Sequence, residues 1–421
     1  MKMFLKLAIR NVFRYKRRTF ITFMAISWGL GLMLLGMALY NGINRQALDN
    51  IINSQTAHLK ILADGYFEKQ DEFPLDLTID NPQRIKDLLK ETDELQGMEA
   101  RVLFGASLIN GLDELPCLGV AFEPEADPGA FNLKESIIEG SYLEASDQSA
   151  LLGIGLAKDM RLKVGDTCVV RMFFSIEDFV WNALDLEIKG IVDTGNPQVD
   201  SSTIFIPLSL AQESLSLDSH ATEISIRLKS EDRLVEMKES IQSKLKAISN
   251  NYDVYTYEEL ASDFIEFSRT RARLQAIIPL IMLLIATLGI VNTMLMAVLE
   301  RIKEIGMLAA MGMKKLEVML LFIFEGAIIG FFGSLAACLI GGLGGWYLEV
   351  KGYRLSALGL GERYAELAEA AYPVKDVFYG DITFGLLVFT LIFGTAVSIL
   401  ASLYPAYKAV RLDPIKALRH E

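Results

Sequence analysis

The chain alternates between long apolar runs and one broad stretch of mixed polar sequence. Helix crosses the hydrocarbon core of a bilayer in about 20 apolar residues, and four runs are long enough: Thr19–Tyr40, Leu274–Leu299, Val318–Leu348 and Ile382–Tyr407. Only Glu325 interrupts them with a charge. Between the first two runs the pattern changes to short β-rich bursts bounded by Gly, Asp, Asn or Pro: Ala57–Leu62, Arg101–Ile109, Thr167–Phe174, Leu186–Val192, Thr203–Ile206 and Glu223–Leu228. Asn81-Pro82 opens a short helix through Leu89, and Ser230–Ile248 carries Leu234, Met237, Ile241, Leu245 and Ile248 at helical spacing. The pattern predicts a membrane α-helical protein of four transmembrane helices, with a large α+β extracytoplasmic domain between helices 1 and 2.

Charge orients this arrangement. The 421 residues carry a net charge of -12, but unevenly: residues 41–266 hold 41 acidic and 19 basic side chains, whereas residues 1–18 hold seven basic and no acidic ones. The positive-inside rule places the basic N-terminus in the cytoplasm, and four crossings return the C-terminus there. The predicted order is a cytoplasmic N-terminus (1–18), first span (19–40), extracytoplasmic domain (41–266), stalk and second span (267–299), cytoplasmic helix (300–317), third span (318–348), extracytoplasmic loop (349–381), fourth span (382–407) and cytoplasmic tail (408–421). The first span is too long for a signal-peptide core and lacks a cleavage site after it, so it reads as an anchor. The basic residues meet lipid headgroups, and nothing supports binding to nucleic acid. The many outer carboxylates read as a solvated acidic surface.

Phosphate loops, H-E-x-x-H, G-x-S-x-G and dinucleotide fingerprints are all missing from the sequence. It predicts no catalytic residues, no metal and no cofactor of its own. Cys117 and Cys168 would both lie outside, where they could pair or stay as buried thiols. Helical character begins before the second span, and Phe264–Leu299 as one helix would run about 54 Å, longer than a bilayer core requires; the excess predicts a stalk. Glu300–Lys315 forms a short amphipathic helix with Ile302, Ile305, Leu308 and Ala309 on its apolar stripe, Arg301, Lys303 and Glu304 off it, and Gly312 as its stop. Intramembrane Glu325 reads as reaching the cytoplasmic headgroups or capping a neighbouring helix.

Three motifs carry a resemblance. Glu300–Lys315, followed by Leu321-Phe-Ile-Phe-Glu-Gly-Ala327, resembles the E-R-x-x-E-I-G-x-L-x-A-x-G and L-F-x-x-E-G signatures of the FtsX/MacB superfamily of ABC transporter permeases. Tyr404–Leu418 resembles its P-A-x-x-A-x-x-x-x-P-x-x-A-L ending, and Leu7-Ala-Ile-Arg-Asn11 with Arg17-Arg18-Thr19 its opening. Asn41–Arg45 through Ala57–Ile61, together with Gly153–Lys158 and Leu162–Asp166, is similar to the LolC/LolE lipoprotein-releasing branch. The resemblance implies a mechanotransmission permease without an ATPase site. Two copies of a cytoplasmic ABC ATPase, which bind ATP and Mg, would drive it, paired with a second permease copy or paralogue. Its substrate would be a lipoprotein extracted from the outer leaflet of the inner membrane and passed to a periplasmic carrier. MacB-type efflux of peptides or amphiphilic drugs, or a non-transporting signalling permease, are the alternatives.

Three residue sets follow as expectations. Arg301, Lys303, Glu304, Ile305, Gly306, Leu308 and Gly312 would couple to the ATPase. Trp28, Met33, Leu34, Met37, Tyr40, Ile277, Ile281 and Leu284 would line an acyl-chain cavity between spans one and two, methionine being adaptable to irregular chains. Phe179 and Trp181, in an expected hairpin loop over Ser175–Leu184, would grip the carrier. That loop lacks the proline-bounded pattern of LolC-like proteins.

Overall fold

The computed structural model describes every residue except 1, 112, 127–128, 176–179, 276, 355–372, 376 and 412–421. The chain forms two units, one of residues 46–267 with 355–376 and one of residues 1–45, 268–354 and 377–421.

The first unit is built on ten strands: β1 (Leu59–Ala63), β2 (Leu95–Ile109), β3 (Glu114–Phe122), β4 (Ile137–Gly140), β5 (Ser149–Gly153), β6 (Thr167–Ser175), β7 (Val180–Val192), β8 (Thr203–Pro207), β9 (Glu223–Leu228) and β10 (Tyr252–Thr256). Their order is β10-β1-β9-β2-β3-β8-β5-β7-β4, and β6 pairs with both β2 and β7, so β2, β3, β8, β5, β7 and β6 make a closed circuit. Six of the ten follow the predicted runs, whereas β3, β4, β5 and β10 do not: the last three have only four or five residues each, and β3 carries Pro116 and Gly119 within its run. One face of the sheet holds the main core around Val102, Phe104, Ile224 and Ile226, onto which the Leu234–Lys246 helix packs Leu234, Met237, Ile241 and Leu245. Ser230 accepts a hydrogen bond from Asp232 N one turn before that helix.

The other face departs from the expected solvated acidic surface at a few buried positions. Alternation along β1, β2 and β9 brings Lys60, Glu99, Arg101 and Glu223 onto it, and all four are buried. They pair locally, Lys60 Nζ with Glu223 Oε2 at 2.6 Å and Arg101 Nε with Glu99 Oε1 at 2.9 Å. Composition counts charges and does not see which ones a loop will cover.

Cys117 and Cys168 are free and buried. They sit on β3 and β6, which flank β2 on opposite sides, so at least nearly two strand spacings, about 9 Å, separate them. Disulfide geometry rarely tolerates Cα separations above about 7 Å. Burial pushes the two thiols up to about 12 and about 11, so both stay protonated.

His58 belongs to the segment that resembles the lipoprotein-releasing branch, yet its role here is internal. It is buried, and its Nδ1 accepts the backbone N–H of Leu228 at 2.9 Å. Burial lowers its pKa, against the pull of Glu231. The unfolded imidazole takes a proton near its ordinary value of about 6.5, the folded one only at lower pH. The unfolded state therefore binds more protons in between, and stability falls as pH drops below about 6.5. Melting of the full chain between pH 5 and 7 is expected to lose part of this slope in His58→Gln; an unchanged slope would remove His58 as its source.

Pro373–Lys375, from the connection between the last two apolar helices, also belongs to the first unit. Asn50 Nδ2 donates to Gly195 O at 2.7 Å and Pro373 O at 2.8 Å, and Lys375 pairs with Asp193 and with Asp200 at 3.0 Å.

The second unit is helical. Among the described residues three helices are long and apolar enough to cross a membrane, within Thr19–Thr56, Lys315–Lys351 and Phe384–Val410. Ile277–Glu300 adds a helix of 24 residues. Small residues set the packing of the second of these spans on the third and on the first: a Cβ on Gly326 would meet Ser402 Oγ at 1.8 Å, and one on Gly341 would meet Gly31 O at 2.7 Å. The basic N-terminus, which the sequence marked only by charge, forms its own helix, Lys2–Arg14.

Candidate coupling site

The signature residues converge in the helical unit. Arg301 stands between the Ile277–Glu300 and Ile302–Ala310 helices, and its Nη1 donates to Glu325 Oε1 at 2.8 Å. Both side chains are almost wholly buried, at 3% and 1% exposure. Asn11, from the N-terminal helix, donates from Nδ2 to the same Oε1 at 2.6 Å. The Arg301 guanidinium also lies 4.4 Å over the Tyr15 ring. Three motifs far apart in sequence thus close on one carboxylate oxygen.

This arrangement gives intramembrane Glu325 its counter-charge. A buried carboxylate is tolerated when it is paired and hydrogen-bonded, and here one cation and one amide supply both. It also relocates Arg301, which the helical pattern put off the apolar stripe: its side chain points into the helix packing. Asn11 and Tyr15 were missed, although Asn11 lay in the matched opening; nothing local marks an asparagine as the partner of a residue 314 positions away.

Around this centre the Ile302–Ala310 helix is fixed on one side and open on the other. Ile305 is buried with Val298, Val318, Phe322, Ala406 and Ala409. Gly306 is buried too. Arg14 bridges to Glu304 at 2.9 Å. Lys303, Met307 and Met311 are exposed at intervals of four, Met311 by 70%, and Gly312 ends the helix at φ +92. The side chain of Leu308 lies outside the described residues.

The acyl-cavity set is divided. Trp28, Ile277, Ile281 and Leu284 are exposed, whereas Met33 and Leu34 are buried. Leu34 packs with Ala38 and Leu386, and Met37 packs against the same cluster. Helical phase explains the split, since residues 33, 34 and 37 turn toward the other apolar helices. Tyr40 is anchored by its hydroxyl, which donates to Ser268 O at 2.9 Å.

The expected carrier loop is shorter than its sequence implied. β7 already starts at Val180, and Trp181 pairs with Phe173 across the hairpin, so the alternation of residues 181–188 continues the strand almost to the turn. Trp181 is exposed by 56%, with Arg171 5.2 Å from its ring centre. It is neither at a loop tip nor in the core. Phe179 lies outside the described residues.

Comparison with known proteins agrees with these motifs. The model described as the MacB-like periplasmic core domain matches residues 19–244, more than half of the chain, and the model described as the FtsX-like permease C-terminal matches residues 276–414. The chain belongs to the FtsX/MacB superfamily of ABC transporter permeases. An uncharacterised ABC transporter permease of Methanocaldococcus jannaschii is 26% identical over 68% of this chain and 66% of its own. The lipoprotein-releasing system transmembrane protein LolC of Neisseria meningitidis is 23% identical over 96% of this chain and 94% of its own. The macrolide export ATP-binding/permease protein MacB of Escherichia coli is 22% identical over 99% of this chain but only 60% of its own. This permease therefore corresponds to the permease part of that longer protein. As a permease of this family it is a multi-pass membrane protein, and the family implies a cytoplasmic ATPase partner and pairing of permeases.

Proposed function

We propose that this permease crosses the inner membrane four times, with its termini and the Ile302–Ala310 helix in the cytoplasm. Its strand-rich domain faces the periplasm. A separate ABC ATPase docks beneath the short helix, and the machine draws lipoproteins out of the outer leaflet. The observation that carries the reading is the Arg301–Glu325–Asn11 junction, which fixes an exposed helix face to buried ends of the spans, as a part that must transmit force requires. Near-complete mutual coverage with a protein named as part of a lipoprotein-releasing system supports the substrate class.

Their exposure favours Lys303, Met307 and Met311 as the docking contact. Changing Met307 and Met311 to Glu is expected to release the ATPase on co-purification while the permease still inserts and melts normally; retained ATPase would move docking elsewhere. For the substrate, the reconstituted complex is expected to hydrolyse ATP faster with a triacylated lipopeptide than with a macrolide. The reverse order would favour MacB-type efflux. Should a soluble carrier be gripped by the β6–β7 hairpin, Trp181→Ala is expected to weaken its binding several-fold without a change in melting temperature, since an exposed side chain contributes little to stability.

A further inference from the structure

The charged face of the sheet encloses two cavities, of about 310 and 280 Å³, both bordered by Ser54, Arg101 and Phe205. Buried charges are ordinarily exhausted by their partners. Lys60 and Glu223 satisfy one another, and Arg101 spends its Nε on Glu99. Its guanidinium is stacked 3.5 Å over the Phe131 ring, which fixes its plane. Among the described residues its two terminal nitrogens have no hydrogen-bond partner, although the side chain is 3% exposed and borders both cavities. A guanidinium held at one edge and on one face, with the other edge open, is a fork for two oxygens of one oxyanion.

The smaller cavity decides what else the ligand carries. Leu103, Leu118, Val120, Val199 and Phe205 form an apolar wall beside Arg101, while Thr203 and Gln198 supply hydrogen-bonding groups. Lys60 and Glu223 cancel there while Arg101 keeps two unspent donors, so an oxyanion is favoured at that edge; the larger cavity carries Glu135 and Asp193 and disfavours one. Its volume is at the low end for pockets that hold organic ligands. Burial also drives Lys60 below the usual lysine range, a cost that an anion placed beside it would offset.

We propose that this cavity is a binding site for a small organic oxyanion, a carboxylate or phosphomonoester with a short apolar body, seated on the open edge of Arg101. The site lies wholly within the strand-rich unit and does not depend on which substrate the permease moves. The probes are N-acetyl-L-leucine and phenyl phosphate, each carrying an apolar body, with N-acetyl-L-leucinamide as the uncharged control, titrated into the full detergent-solubilised chain by calorimetry and melting. Saturable binding of at least one anion, at least tenfold weaker for the amide, is expected; which anion binds more tightly distinguishes the two sources. Arg101→Gln should lose it, and Val120→Phe, which fills the cavity and leaves Arg101 in place, should lose it with the melting temperature held. Arg171→Gln, at a half-buried strand position paired with Glu114 and outside the cavity lining, should bind like the parent. Failure of both anions to saturate, amide binding equal to the acid, or retention in the folded Val120→Phe protein would each overturn the site. None of these outcomes bears on lipopeptide-stimulated ATP hydrolysis, so the two proposals fail separately.

Discussion

Glu325→Ala is expected to destabilise the helical unit by about 3–5 kcal/mol, the usual cost of stranding one member of a buried ion pair. Arg301 would be left buried with its main partner gone, and its Nε and Nη2 already have no hydrogen-bond partner. Asn11 would lose its acceptor as well. The double change Arg301→Leu with Glu325→Leu should recover most of that loss, because two apolar side chains carry no desolvation penalty. Denaturation of the detergent-solubilised protein by SDS measures all three variants. If the single change matches the parent, the pair does not hold the helices together. A folded double variant that hydrolyses ATP with its partner but no longer responds to substrate would show that the junction serves transmission besides stability.

Gly42→Ala is expected to be the most damaging small change in the first apolar helix. A Cβ there would lie 2.0 Å from Tyr379 O, 2.8 Å from Tyr379 C and 2.9 Å from Asp381 N. These are backbone atoms, so no rotamer change relieves the clash. The segment is held in place by Asp381 N donating to Ala38 O at 2.9 Å. Overpacking of this kind costs about 1–3 kcal/mol or more, against the roughly 1 kcal/mol that alanine gains over glycine within a helix. Gly36 on the same helix has nothing within 4 Å of its Cβ position, so Gly36→Ala should be neutral or stabilising. Equal melting temperatures for the two variants would contradict the close approach.

Much of the membrane unit was legible because its signal is contiguous. A run such as Val318–Leu348 needs no partner to be recognised, and the signatures around Glu300 and Glu325 stand in unbroken sequence. The amphipathic phase of residues 302–310 correctly put Ile305 inside and Lys303 outside. It put Arg301 outside too, since hydropathy scores a guanidinium by its water affinity and cannot register a carboxylate 24 residues later. The hairpin at Trp181 was misread for a similar reason. Asp and Asn near a turn look like loop, yet cross-strand pairing with Phe173 holds the segment extended.

By itself the sequence determined the apolar helices, the strand-rich domain between the first two, the family and the lack of familiar catalytic motifs, since each depends on residues that are neighbours in the chain. Only the tertiary structure decided that Asn11, Arg301 and Glu325 share one oxygen, that Leu34 packs with Ala38 and Leu386, and that Arg101, Lys60 and Glu223 are buried beside open space. The physical reason is that desolvation and pairing depend on what the fold brings within about 4 Å, and the residues that do so here are separated by up to 314 positions.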